Sequence, residues 1–172
     1  MGLNSESNRI TPPEKLNSSH QIDHFDSGNH QLNDWLKKRA LKNELEGGSR
    51  TYVVCVGNVV IGYYCLASGA VAQTIATGRV RRNMPDPIPV MVIGRLAVDR
   101  QWQGKGIGRG LLRDAILRTL QAAEIVGIRA ILVQAISLEA KQFYQNCGFT
   151  VSPIEPMILM ITVKDAISAL GL

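Results

Sequence analysis

The stretch RQWQGKGIGRGLL, Arg100–Leu112, sets four glycines (Gly104, Gly106, Gly108 and Gly110) within seven positions and then becomes good helix-forming sequence. Glycine at a helix start costs stability unless the backbone must turn through positive φ or be approached closely. The run before it, VMVIGRLAVD (Val90–Asp99), is almost continuously apolar, as a buried central strand requires. A strand, a glycine-rich turn and a helix together offer an anion free backbone N–H groups and the positive end of a helix dipole. Two phosphate-loop patterns do not fit. The P-loop sequence G-x-x-x-x-G-K-[ST] is absent, and G-x-G-x-x-G is missed by one position at its third glycine. On these residues alone, an anion-binding loop and a purely structural glycine loop both stay open.

The flanking sequence supplies the rest of the fold. NHQLNDWLKKRALKNELE (Asn29–Glu46) spaces Leu32, Trp35, Leu36 and Ala40 helically. This predicts a helix capped by Asn29 and ended by Gly47-Gly48. TYVVCVGNVVIGYYCLAS (Thr51–Ser68) predicts two strands joined at Gly57-Asn58. RVRRNMPDPIP (Arg79–Pro89) reads as a basic, proline-rich loop. After the glycines, a helix over 107–126 is expected to bury Ile107, Leu111, Ala115, Ile116 and Ala122. A strand over 127–136, a helix over 137–148 capped by Ser137, a strand over 156–164 and a short final helix complete the order. That order predicts a mixed α/β fold, a central and partly parallel sheet flanked by helices. The 172 residues suit one domain, expected over 21–172 after a flexible, polar N-terminus at 1–20.

The formal net charge is +5. From Arg79 to Arg129 ten basic side chains face four acidic ones, so the surplus lies around the glycine loop. A phosphate-rich partner and a merely solvated basic face are both compatible with it. Cys55, Cys65 and Cys147 show no metal spacing and no disulfide framework, which suggests a reducing compartment and no metal. His20, His24 and His30 read as surface residues. The uncharged stretch between Arg50 and Arg79 is broken by glycines and rich in β-branched residues, so it reads as strands and not as a membrane span.

Two motifs carry a resemblance. Gln103-Gly104-Lys105-Gly106-Ile107-Gly108 fits Q/R-x-x-G-x-G/A, and AKQFYQNCGF (Ala140–Phe149) fits A-x-x-F-Y-x-x-x-G-F. Together they resemble the GNAT superfamily of N-acetyltransferases over roughly residues 20–165. LNDWLKKRA, RTYVV, GYYCLASG and the long run from Ile88 to Ala115 are similar to the acetyltransferase toxins of bacterial toxin–antitoxin operons. The resemblance implies a sheet splayed between its fourth and fifth strands, with acetyl-CoA as cofactor. The backbone of Leu96, Ala97 and Val98 would then hold the pantetheine arm. The N–H groups of Gln103, Gly104, Lys105, Gly106, Ile107, Gly108 and Arg109 would hold the pyrophosphate. Tyr144 would be the general acid for the departing thiolate. Ile136 departs from the polar or acidic residue that members often carry there.

It also implies a cytoplasmic enzyme, a homodimer, that acetylates the α-amine of aminoacyl-tRNA and blocks translation. Its partner would be a ribbon-helix-helix antitoxin, through which alone it meets operator DNA. Arg79, Arg81, Arg82, Arg95, Lys37 and Lys38 are then expected to hold tRNA phosphates, with Arg39 and Lys42 nearby. The chemistry is consistent with such an acceptor. No histidine or carboxylate pair stands beside either motif to serve as a base. An α-amine is roughly a tenth neutral at pH 7, whereas a lysine is below about 0.1%. A phenol can protonate a thiolate only slightly uphill, by roughly 1.5 units. Tyr144 as a packed core residue, a GNAT enzyme for a protein N-terminus or small amine, and a non-catalytic acyl-CoA-binding regulator are the competing readings.

Overall fold

The computed structural model describes residues 9–171. Helix α1 (His30–Trp35) begins where Asn29 Oδ1 accepts the Leu32 N–H at 3.0 Å, the bond that favours asparagine at an N-cap. It passes directly into a π-helical turn (Leu36–Ala40) and α2 (Leu41–Glu46), which Gly47 ends in the left-handed region at φ 80°. Strands β2 (Arg50–Val56) and β3 (Val59–Val71) pair antiparallel around Gly57-Asn58. Then follow α3 (Gly78–Arg81), β4 (Ile88–Val98), a 3-10 turn (Arg100–Trp102), α4 (Ile107–Ala123), β5 (Ala130–Gln134) and α5 (Leu138–Asn146). Strands β6 (Thr150–Val151) and β7 (Ile158–Thr162) and helix α6 (Val163–Ala169) complete the chain.

With β1 (Glu14–Lys15), the strands take the order β1-β2-β3-β4-β5-β7-β6. The β4–β5 pair is parallel, and β5–β7 and β6–β7 are antiparallel. This is the expected mixed sheet flanked by helices. Among the described residues no helix is long and apolar enough to cross a membrane.

Three local expectations are corrected. Residues 10–20, read within a flexible N-terminus, are tied to β2. Ile10 bridges to Val56, β1 pairs with Tyr52 and Val53, and Leu16 is buried. Residues 1–8 lie outside the described residues. The basic loop over 79–89 contains the short helix α3, because the Thr77 hydroxyl accepts the Val80 N–H. On α4, Ile107 and Ala122 are only half-buried, and Leu112 and Thr119 join Leu111, Ala115 and Ile116 inside.

The chain forms two compact units that interleave in sequence. The first takes residues up to Leu66 together with Arg95–Asp114, the second Ala67–Gly94 with Ala115–Leu172. The core of the first is aromatic: Tyr63 lies edge-on to Phe25 at 5.5 Å and parallel to Trp35 at 5.9 Å. Its hydroxyl donates to the Leu32 carbonyl at 2.7 Å, and burial pushes its pKa upward. The second unit packs Val71, Ala76, Val80, Ile88, Val90 and Met160. There Gly69 is crowded, since a Cβ on it would meet Val92 Cγ2 at 2.8 Å. Valine is stiff at χ1, so the strand backbone must move. Gly69→Ala is expected to lower unfolding free energy by about 1–3 kcal/mol, read as a lower denaturant midpoint at unchanged slope.

Candidate functional site

The register between β4 and β5 runs from Val90–Ala130 to Ile93–Val133, while β4 continues to Val98. Pairing therefore stops before Leu96, Ala97 and Val98, in keeping with a sheet splayed between its fourth and fifth strands. Those three residues lead into the glycine loop within the first unit.

The loop is pinned from several sides. Asp99 Oδ1 accepts the Gln101 N–H at 3.0 Å and Oδ2 the Asp26 N–H at 3.1 Å. The Arg100 N–H donates to the Asp26 carbonyl at 2.8 Å, and its guanidinium pairs with the Asp26 carboxylate at 3.4 Å. Asp26 is held below its ordinary pKa, first by the Gly28 N–H, then by Asn33, with Arg100 contributing. The Gln103 side-chain amide donates to both the Val98 and the Ser27 carbonyls at 2.9 Å. Gln103, read as one N–H donor among several, thus also anchors the loop through its side chain. Asp26, Ser27 and Asp99 were not foreseen as supports. The run Asp26-Ser27-Gly28-Asn29, all turn and cap formers, was the available signal.

Beyond Gln103 the backbone turns through the left-handed region at Gly104 (φ 77°) and Gly106 (φ 84°). Apart from the adjoining residues and the helix's own backbone, no atom lies within 4 Å of a Cβ built at Gly104, Gly106 or Gly110. Conformation demands glycine at the first two, and the space before all three is open. The Gly110 N–H donates to the Gly106 carbonyl at 3.1 Å and starts the α4 ladder. The first-turn N–H groups, Ile107, Gly108 and Arg109 among them, are those that a helix leaves without an internal partner. The Lys105 ammonium stands 4.9 Å over the Trp102 ring, and Arg109 is exposed. Open space, free N–H groups and two cations fit the pyrophosphate of acetyl-CoA.

Tyr144 belongs to the second unit. The Ser137 hydroxyl caps α5 by accepting the Ala140 N–H at 3.0 Å, and Gly148 (φ 98°) follows the helix end. Tyr144 is buried between Phe143 and Phe149, with ring centroids at 5.2 and 5.5 Å. Its carbonyl accepts the Phe149 N–H at 3.0 Å. Ile136 and Leu138, at the β5–α5 turn, are exposed.

The basic residues divide. Lys37, Lys38 and Arg39 are exposed on the π-helical turn, with Lys38 reaching Asp34 at 3.5 Å. Arg95 is half-buried, its guanidinium 4.4 Å from the Trp35 ring centre. In the second unit Arg81 and Arg82 are exposed. Arg79 is exposed but engaged, gripping Asp165 through two bonds of 2.7 and 2.6 Å, and this pairing lowers the Asp165 pKa.

His20 is not at the surface. Its Nδ1 accepts the Asn17 N–H at 3.0 Å and its Nε2 lies 2.7 Å from Glu14 Oε1. With Cys55 these two form a group whose ligand atoms lie within 4.8 Å of one another. The group is poorly set for a metal. With Nδ1 accepting a bond, the neutral ring carries its proton on Nε2, where a metal would sit. Burial, then the Glu14 charge, push the Cys55 thiol up to about 11, so it is neither thiolate nor nucleophile at neutral pH.

Comparison with known proteins places the chain in a family. Residues 47–151 match the acetyltransferase (GNAT) domain family. The chain is 51% identical over 159 residues to the tRNA-acetylating toxin of Mycobacterium tuberculosis (strain ATCC 25618 / H37Rv), covering 92% of this chain and 96% of that one. Among solved structures, AtaT complexed with acetyl-methionyl-tRNAfMet superposes with a TM-score of 0.86 at 27% identity, covering 95% of this chain and 100% of that one. A tyrosine-to-phenylalanine AtaT variant, bound to the C-terminus of the antitoxin AtaR and acetyl-CoA, gives 0.82 at 25% identity, covering 95% and 99%. The chain belongs to the GNAT acetyltransferases and, among them, to the family of the tRNA-acetylating toxins.

Proposed function

We propose that this protein transfers the acetyl group of acetyl-CoA to the α-amine of an aminoacyl-tRNA, and that this transfer makes it a toxin by blocking translation. The observation that carries the reading is the 51% identity to a tRNA-acetylating toxin across 92% of the chain. We further infer a cytoplasmic enzyme, a homodimer, neutralised by a ribbon-helix-helix antitoxin and meeting operator DNA only through it. The antitoxin-bound AtaT structure supports the antitoxin part of that reading.

When bound, acetyl-CoA supplies an activated acetyl thioester. The chain's own residues do the rest. Leu96, Ala97 and Val98 offer backbone N–H and C=O groups for the pantetheine amides, as an added strand would find them. Gln103 fixes the loop so that the N–H groups of Gly104 to Arg109 face the pyrophosphate. A backbone N–H near Val98 polarises the acetyl carbonyl. The Tyr144 hydroxyl gives a proton to the departing sulfur. No strong base is required of the protein, because an α-amine has a reference pKa of about 7.7–8.0 and a useful neutral fraction at physiological pH. Lys37, Lys38, Arg81 and Arg82 attract tRNA phosphates. Arg79 contributes less charge than its position suggests, being paired with Asp165.

The test is transfer from labelled acetyl-CoA to bulk charged tRNA, with deacylated tRNA as control. Label is expected only on charged tRNA, with a KM for tRNA that rises steeply with salt as counterion release demands. Label on a protein N-terminus or small amine instead, insensitive to salt, would move the acceptor to that class.

A further inference from the structure

Arginines are buried, even in part, with polar partners as a rule. Arg129, also half-buried, gives its donors to the Arg79 and Val80 carbonyls at 2.7 and 3.1 Å. Arg50, Arg79 and Arg100 pair with Glu44, Asp165 and Asp26. Arg95 differs from all of these. Among the described residues its guanidinium makes no hydrogen bond and no ion pair with a carboxylate, and it lies over the face of Trp35 at 4.4 Å. A guanidinium held over a ring face by cation–π attraction spends none of its five donors on a conventional hydrogen-bond acceptor and can still offer them to an anion.

The platform beneath it is rigid. Trp35 is buried and stacks on Tyr63 with an interplanar angle of 12°. Tyr63 is fixed by its bond to the Leu32 carbonyl and by the edge contact to Phe25. Side chains alternate along a strand. Ala97 packs in the same core as Trp35, so Arg95 shares the face of β4 that looks toward α1. Leu96 and Val98 take the other face.

The place of Arg95 on β4 decides which anion it meets. It stands next to Leu96–Val98, two residues or about 7 Å along the strand from Ala97. The pyrophosphate site begins only at Gln103, after the 3-10 turn. An anion at Arg95 therefore belongs to the acceptor and not to acetyl-CoA. In a charged tRNA the phosphate nearest the acylated ribose is that of the 3′-terminal nucleotide. Arginine's planar fork matches a phosphate bidentately.

We propose that Arg95, held over the face of Trp35, receives the backbone phosphate of the 3′-terminal nucleotide and so sets the α-amine against the acetyl group, with Trp35 as the positioning residue. This rests on the aminoacyl-tRNA reading given above. It adds a recognition element that needs no body of the tRNA. The Lys37–Arg39 cluster follows Trp35 directly on the same helix and continues the positive surface for the phosphates upstream.

The test uses two minimal acceptors, methionyl-adenosine and its 5′-phosphorylated counterpart, alongside methionyl-tRNA. The wild-type protein is expected to show a kcat/KM at least about tenfold higher for the phosphorylated compound, the size of a charge-assisted hydrogen bond. In Arg95→Gln that ratio falls to near one. Arg95→Lys, with a point charge and no fork, retains part of it, and Trp35→Phe, with a weaker platform, lowers it. Acetyl-CoA binding by calorimetry checks that each variant is folded. A ratio near one in the wild type, or a ratio that persists in Arg95→Gln, overturns the proposal while acetylation of methionyl-tRNA leaves the parent reading intact. Failure to acetylate any of the three acceptors, or other charged tRNAs, removes the parent reading and this proposal with it.

Discussion

Replacing Tyr144 by phenylalanine is expected to lower kcat for acetyl transfer by about a hundredfold or more, the usual contribution of a positioned proton donor. The change removes one oxygen and keeps the ring. Its contacts with Phe143 and Phe149 survive, and so does the Phe149 N–H bond to its carbonyl. The ring packing that remains should keep the variant folded, and calorimetry should still show acetyl-CoA binding. Cells expressing the variant should grow where the wild type arrests them. A kcat within a factor of a few of wild type would make Tyr144 a packing residue. The bound thiolate would then have to take its proton from water or another group.

Gly106→Val is expected to raise the Kd for acetyl-CoA by tenfold or more. Gly106 sits at φ 84° with no atom near its would-be Cβ, so the penalty is conformational. A residue forced into the left-handed region costs about 1–2 kcal/mol, more when β-branched. The loop would relax to another conformation and turn its N–H groups from the phosphates. Gly110→Ala is the instructive partner. Gly110 lies inside α4 with open space around it, so alanine should stabilise the free protein by about 0.5–1 kcal/mol. A variant that is more stable yet binds acetyl-CoA less tightly would show that the ligand uses the space in front of that backbone. Equal binding would place the pyrophosphate nearer Gly104 and Gly106. The measurements are calorimetric titration with acetyl-CoA and thermal unfolding without it.

Much of the fold was legible because its signals are local. Asn29 caps α1, Gly47 ends α2, Gly57-Asn58 turns the hairpin and Ser137 caps α5, each where the spacing puts it. The strand–loop–helix run from Val90 to Leu112 was legible for the same reason. Elements without local signal were missed. β1 is two exposed, charged residues whose strand character comes entirely from pairing with Tyr52 and Val53. α3 is a single turn held by Thr77 and by Arg129, which is about fifty positions away. The site was legible in part. Its glycines and Tyr144 carry motif spacing, but the supports of the loop come from Asp26 and Ser27, more than seventy positions upstream. The contact of Arg95 with the face of Trp35 joins residues sixty positions apart, and nothing in either neighbourhood announces it. His20 looked like a surface histidine because its environment is set by the folding back of residues 10–20.

The interleaving of the two units bears on how the protein comes to be made. Neither unit is a single contiguous segment of the chain. The segment up to Leu66 lacks its closing piece until Arg95–Asp114 has been synthesised, and the second unit waits for residues past Tyr144. Nascent chains emerge at about 5–20 residues per second, so early segments spend seconds without their partners. The glycine loop reaches its native surroundings before the FY helix does. Residues 104–110 and Tyr144 thus belong to units that are completed at different times during synthesis.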